Sequence, residues 1–260
     1  MRLGCSISAK DLHLIKVMKE SGYDFVESRI NQFYDMTDGE LDAFCAELKK
    51  YDYKCEAVNC LFPKTMKVIG ADADMKVVED YLNTVIPRTA PLYGYEVVVF
   101  GSGLSRHISE DFPYEKGVEQ TAYICSEFLV PLAKKYGFKV ALEELNGGET
   151  NFMNYVTQAY DIAKLINKPE IGIVCDSFHI ALTGEGYNVL ETMGDKIVHA
   201  HTANPVEREY PKIGDGHRYE LFIESMRKAG YDGRVTVESF IEDELEPRIR
   251  QSAQLFKQLL

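Results

Sequence analysis

The chain of 260 residues has no uninterrupted apolar run of roughly 18 residues, so no helix crossing a membrane is expected. Its opening, "MRLGCSISAK", lacks the apolar core of a secretory signal peptide and reads as a strand. Positive charge is in short supply: 29 Lys and Arg face 41 Asp and Glu, a net charge of −12. Such a surface repels nucleic-acid phosphates and anionic lipid heads. None of the six cysteines (Cys5, Cys45, Cys55, Cys60, Cys125 and Cys175) forms a CxxC pair. Three of them (Cys5, Cys55 and Cys175) lie in strand-like runs, as reduced core thiols of a cytoplasmic protein would. Neither a P-loop nor a low-complexity segment is found. A GxGxxG turn is missing after the first strand, where "GCSISAKD" stands, which disfavours a doubly wound dinucleotide-binding sheet.

What the chain does have is alternation. Short apolar strands at Arg2–Ser6, Phe25–Ser28, Lys54–Asn59, Glu96–Gly101, Lys139–Glu144, Ile171–Asp176, Ile197–Thr202 and Arg234–Ser239 are each followed by an amphipathic stretch. The predicted helices cover Asp11–Ser21, Thr37–Tyr51, Asp74–Leu92, Gly117–Tyr136, Tyr155–Ile166, a shorter one near Val189–Met193, Tyr219–Ala229 and Glu246–Leu260. In the second of these, Leu41, Phe44, Cys45 and Leu48 share one face, and Thr37 with Glu40 forms a capping box. Continuous apolar strands suit a parallel sheet covered on both faces. Eight strand–helix units with no break in composition predict an α/β fold, a single (β/α)8 barrel occupying residues 1–260 as one domain.

In such a barrel the chemistry gathers at the C-terminal ends of the strands. The fifth strand runs out at Glu143, the sixth at Asp176, the seventh at His201 and the eighth at Glu238. Singly, each would pass as a cap or a salt bridge. Together, three carboxylates and an imidazole crowded at one mouth would push each other's pKa values far from normal, and a divalent cation removes that conflict. Mostly oxygen donors with one nitrogen suit Mn²⁺, Mg²⁺, Co²⁺ or a catalytic Zn²⁺. Glu149 and Arg208 stand in the adjoining loops and His179 at the start of the next loop or helix, all within reach of a molecule held over the mouth. His199 shares the inward face of His201 but lies deeper, as a core residue or a supporting one. His217 reads as a loop residue, His13 and His107 as surface residues, and Lys67 and Arg106 as loop cations.

The segments "ALEELNGGET", "CDSFHIAL", "VHAHTANPVER", "PKIGDG" and "VTVESF" resemble the xylose isomerase-like barrel superfamily. Within it they are similar to the sugar isomerase/epimerase group that includes the D-tagatose (D-psicose) 3-epimerases. The resemblance spans the chain and is strongest from Lys139 to Phe240. It implies one divalent ion, Mn²⁺ first among the candidates, on Glu143, Asp176, His201 and Glu238. Glu143 and Glu238 become the acid/base pair, moving a proton through a metal-bound ene-diolate of a ketose or keto-polyol. Glu149, His179 and Arg208 become substrate-binding residues. A dimer or tetramer of identical chains is implied as well. Two departures bear on the sugar: Gly147 and Gly148 follow Asn146 where the family carries an Arg and an aromatic residue, and "PVE" separates Asn204 from Arg208.

The alternative is a lyase of the inosose dehydratase type, working on a keto-sugar through the same site. An abasic-site endonuclease shares the superfamily fold, but six His residues and the charge of −12 argue against it. A sugar-binding protein without turnover is disfavoured by the complete Glu–Asp–His–Glu set.

Overall fold

A computed structural model describes residues 1–260. Eight parallel strands close on themselves in chain order. They are β1 (Arg2–Ile7), β2 (Phe25–Arg29), β3 (Cys55–Asn59), β4 (Val97–Phe100), β5 (Lys139–Leu142), β6 (Ile171–Asp176), β7 (Ile197–Thr202) and β8 (Arg234–Val237). β8 returns to β1 with Arg2 beside Arg234 and Cys5 beside Val237, so the sheet has no free edge. The chain is therefore a (β/α)8 barrel, as the strand–helix alternation predicts. No helix is long and apolar enough to cross a membrane.

The apolar layer between strands and helices forms one large core, while a small cluster (Ala57, Val97, Val99, Ala141 and Val174) packs apart from it. Ala141 and Val174 precede Glu143 and Asp176 by two residues and so share their inward face. Small apolar side chains thus occupy part of the barrel below the mouth. At the opposite end, Glu56 takes Arg2 and, at 2.7 Å, Arg234, and both guanidiniums lie over the ring of Phe25. That ring occupies the space a Cβ at Gly4 would need, 2.3 Å away, so only glycine fits there.

Some elements differ from the sequence expectation. β5 and β8 stop at Leu142 and Val237, so Glu143 and Glu238 begin the loops. β7, by contrast, spans Ile197–Thr202 as expected. A helix over Ile30–Asp35 leaves β2 at once, and another over Ser177–Thr183 follows β6 directly. The short helix expected near Val189–Met193 is instead a 3-10 segment at Tyr187–Thr192. The expected helix over Gly117–Tyr136 starts at Tyr114 and widens into a π-turn at Ile124–Leu129. The capping box holds: Thr37 N–H donates to Glu40 Oε2 at 2.8 Å and Glu40 N–H to Thr37 Oγ1 at 3.3 Å.

Candidate active site at the barrel mouth

Glu143, Asp176, His201 and Glu238 come together, all four buried, with one potential ligand atom from each inside a span of 4.8 Å. The register dictates this, since Asp176 lies beside His201 across β6 and β7, and His201 beside Thr236, two residues before Glu238. Asp176 also caps the Ser177–Thr183 helix: its Oδ1 accepts from Phe178 N–H at 2.9 Å, which leaves Oδ2 for the site. Glu143 Oε1 meets His201 Nδ1 at 2.9 Å, and Glu238 Oε2 lies 3.4 Å from the same nitrogen. Asn59, on β3, donates to Glu238 Oε1 at 2.6 Å and to Ser6 Oγ, on β1, at 3.0 Å.

The electrostatics are those of crowded, buried carboxylates. Burial, with Glu143 and Glu238 nearby, pushes the Asp176 carboxyl up to about 7, against the pull of Arg208 and His201. Burial raises Glu143 too, although His201 opposes it. A divalent ion among these donors would hold all the carboxylates ionised, so the donor set fits such an ion.

Glu149, Arg208 and His179, the last on the Ser177–Thr183 helix, also meet here. Arg208 Nη1 donates to Glu149 Oε1 at 2.8 Å, and Nη2 pairs with Glu238. The guanidinium is stacked between the rings of Phe178 and Phe240, with centroids at 4.7 and 3.9 Å. The extra residues before it are absorbed by a turn. Val206 N–H donates to Asn204 Oδ1, Asn204 N–H donates to Glu209 C=O, and Glu207 and Arg208 take left-handed φ values of 57° and 53°. His179 Nδ1 accepts from Asn146 N–H at 3.1 Å, which places the ring proton on Nε2. Burial, then Arg208 and His201, holds this imidazole neutral, well below its ordinary range. Its Nε2 is buried without a hydrogen-bond partner, 3.4 Å from Asp176 Oδ2.

Above these groups opens a cavity of about 310 Å³. Glu143, Glu149, Arg208 and Glu238 line it together with Phe62, Lys64, Leu104 and Phe240. Asp176, His179 and His201 lie beneath that lining.

The sequence profile described as "Xylose isomerase-like TIM barrel" matches residues 15–259. The chain belongs to the xylose isomerase-like TIM barrel family. A ketose 3-epimerase from Arthrobacter globiformis is 28% identical to it over 136 residues, 49% of this chain and 44% of the relative. The chain thus spans less than half the length of that relative. Among solved structures, a D-psicose 3-epimerase studied in the presence of D-fructose superposes with a TM-score of 0.82 at 17% identity, covering 99% of this chain and 98% of the other. The IolI protein, whose structure has a bound zinc atom, superposes with a TM-score of 0.78 at 20% identity, covering 100% and 98%.

In this xylose isomerase-like barrel several buried polar residues escape the sequence reading. Glu27 on β2 sits under His201, with its Oε1 2.8 Å from His201 Nε2 and its Oε2 2.7 Å from His199 Nε2. A lone carboxylate in the apolar strand "FVESR" is the available signal, and the deeper, supporting place expected for His199 is where it lies. Glu144 is fully buried and accepts from Asp176 N–H at 3.0 Å. Arg106 is no loop cation but fully buried, beside the sulfur of Met153 at 3.9 Å and facing the ring of Phe100. Two of its nitrogens have no partner, and burial lowers it to about 10. Nothing in the linear pattern separates it from a solvated arginine. His13, His107 and Lys67 are exposed, as expected, and His217 meets Tyr187 Oη at 2.9 Å in its loop. All six thiols are unpaired.

Gly101, just past β4, matters for the same carboxylate. A Cβ there would lie 2.0 Å from Glu143 Oε2. Gly101→Ala should therefore displace Glu143 and lower turnover by on the order of 10²-fold, the effect of an ångström of misplacement. The check is turnover set beside a melting curve. A variant as active as wild type would show that Glu143 has freedom to spare.

Proposed function

We propose that this barrel is a divalent-metal-dependent epimerase or isomerase of a ketose or keto-polyol. One observation carries the reading: Glu143 and Glu238 arrive from strands on opposite sides of Asp176 and His201 in the barrel order, and all four converge within 4.8 Å beneath an open cavity. The similarity to a ketose 3-epimerase over about half the chain supports it.

Glu143, Asp176, His201 and Glu238 would hold the ion, for which the oxygen-rich set favours Mn²⁺. A divalent ion there polarises a carbonyl and acidifies the neighbouring C–H bond. The residues supply the rest. One of Glu143 and Glu238 takes the proton from the carbon, giving an ene-diolate. The other returns a proton on the opposite face, which inverts that carbon. Return to the adjacent carbon by a single carboxylate would give isomerisation instead. Arg208, fixed by Glu149 and two aromatic rings, would supply positive charge, and the Nε2–H of the neutral His179 a hydrogen-bond donor, where negative charge grows on the sugar oxygens. Binding over the cavity floor excludes water from the reacting carbon.

The test is a panel of ketoses and keto-polyols incubated with Mn²⁺-loaded protein in D₂O and followed by NMR. Deuterium beside the carbonyl together with a new diastereomer is the expected result. Elimination of water would move the assignment to the dehydratase class. No exchange with any member of the panel would overturn the reading.

A further inference from the structure

We infer that Glu27 is a positioning residue of the metal centre: from the far side of the barrel it orients the imidazole of His201 so that Nδ1, not Nε2, faces the ion. The inference rests on the metal site proposed above. Glu27 is fully buried, where a carboxylate is costly unless it is paired. Each of its oxygens has its own imidazole, Oε1 with His201 Nε2 at 2.8 Å and Oε2 with His199 Nε2 at 2.7 Å. One imidazole nitrogen at hydrogen-bond distance from each oxygen satisfies the ionised form of this carboxyl at both ends. An ionised carboxylate can only accept, so both Nε2 atoms must donate. The tautomer of His201 follows. With Nε2 protonated and bound from below, Nδ1 is the nitrogen offered to the ion, and it points at Glu143, 2.9 Å away.

Glu27, His199 and His201 also form a cluster with metal-donor spacing. A second ion there is disfavoured by the same contacts. Bonds of 2.7 and 2.8 Å already close the gaps, and His201 would have to ligate through both ring nitrogens. A carboxylate behind a ligating histidine raises its basicity and fixes its ring. This pair joins β2 to β7, residues 174 apart in sequence.

The decisive variant is Glu27→Gln. It keeps the shape but replaces one acceptor by an NH₂ donor, which opposes an Nε2–H and frees His201 to protonate Nδ1 instead. The probe is Zn²⁺ alone, with its Kd read by competition against a chromophoric chelator, so that no turnover is needed. We expect the variant to bind Zn²⁺ 10–100-fold more weakly than wild type. A Kd within twofold of wild type would overturn the inference and leave the metal site standing. Wild-type protein that takes up neither Zn²⁺ nor Mn²⁺ would overturn the metal site as well, and the two failures are thus distinct. Should Glu27→Gln fail to fold, ¹⁵N-histidine NMR of Zn²⁺-loaded wild type decides. A proton on Nε2 of His201 is expected, and a proton on Nδ1 would refute the assignment.

Discussion

Glu143→Gln and Glu238→Gln should each lower solvent-deuterium exchange into a ketose by about 10²–10⁴-fold, the usual worth of a positioned acid or base. Glutamine keeps the volume and one ligating oxygen but cannot take a proton. The loss should therefore appear at the proton-transfer step, with KM changing far less than kcat. The two positions are not equivalent. Glu143 is braced by one hydrogen bond, from His201, and its second oxygen faces Gly101 at the cavity, whereas Glu238 is held at both oxygens, by Asn59 and Arg208. Glu238→Gln should then cost more in thermal stability, since it leaves Arg208 buried against one carboxylate fewer. Each variant needs elemental analysis beside the exchange rate, because both residues are also proposed ligands. Exchange retained in a metal-replete variant would remove that residue from the acid/base pair.

Affinity for a divalent ion should fall as pH drops below about 7. The carboxyl of Asp176 is raised to about 7 in the metal-free protein, so below that pH an ion must displace its proton. Each displaced proton weakens binding by up to about tenfold per pH unit. His201 adds to the effect. Burial works against its charged form, but Glu27 and Glu238 hold it well above its ordinary range, so its Nδ1 proton must leave too. The signs agree for stability. Both groups have folded pKa values above their unfolded ones, so what they contribute is present in acid and lost as pH rises through the folded values. The metal-free protein should lose melting temperature from pH 6 to pH 8 on their account, and Mn²⁺ should reverse the order. Chelator competition and melting curves across that range measure both. A Kd for Mn²⁺ that does not change over the range would refute the linkage.

The barrel was legible because parallel strands covered on both faces read as apolar runs, and eight such runs at even spacing allow few other folds. The four proposed ligands were legible for a related reason: a charged residue ending an apolar run stands out. Glu27 broke such a run as well, but from the middle of a strand, and only three-dimensional closure shows that it lies under His201 rather than against a helix. Arg106 was misread because a short 3-10 turn at Gly103–Arg106 buries it, and no periodicity marks so short an element. The helix at Ser177–Thr183, left open in the sequence as loop or helix, carries its own signal. Asp176 is both helix cap and proposed ligand.

The division of labour around the mouth has a consequence for how the chain is made. Ser6, Glu27 and Asn59, from β1 to β3, lead to or support the proposed ligands, whereas the ligands all lie between residues 143 and 238. A nascent chain therefore presents the braces long before the groups they brace, and Glu27 stays without its imidazoles until β7 has left the ribosome. β8 arrives last, bringing both the final ligand and the pairing that closes the ring. The proposed ligand set is thus complete only once the last strand has been made. A chain halted before residue 234 has three of the four donors and an open edge.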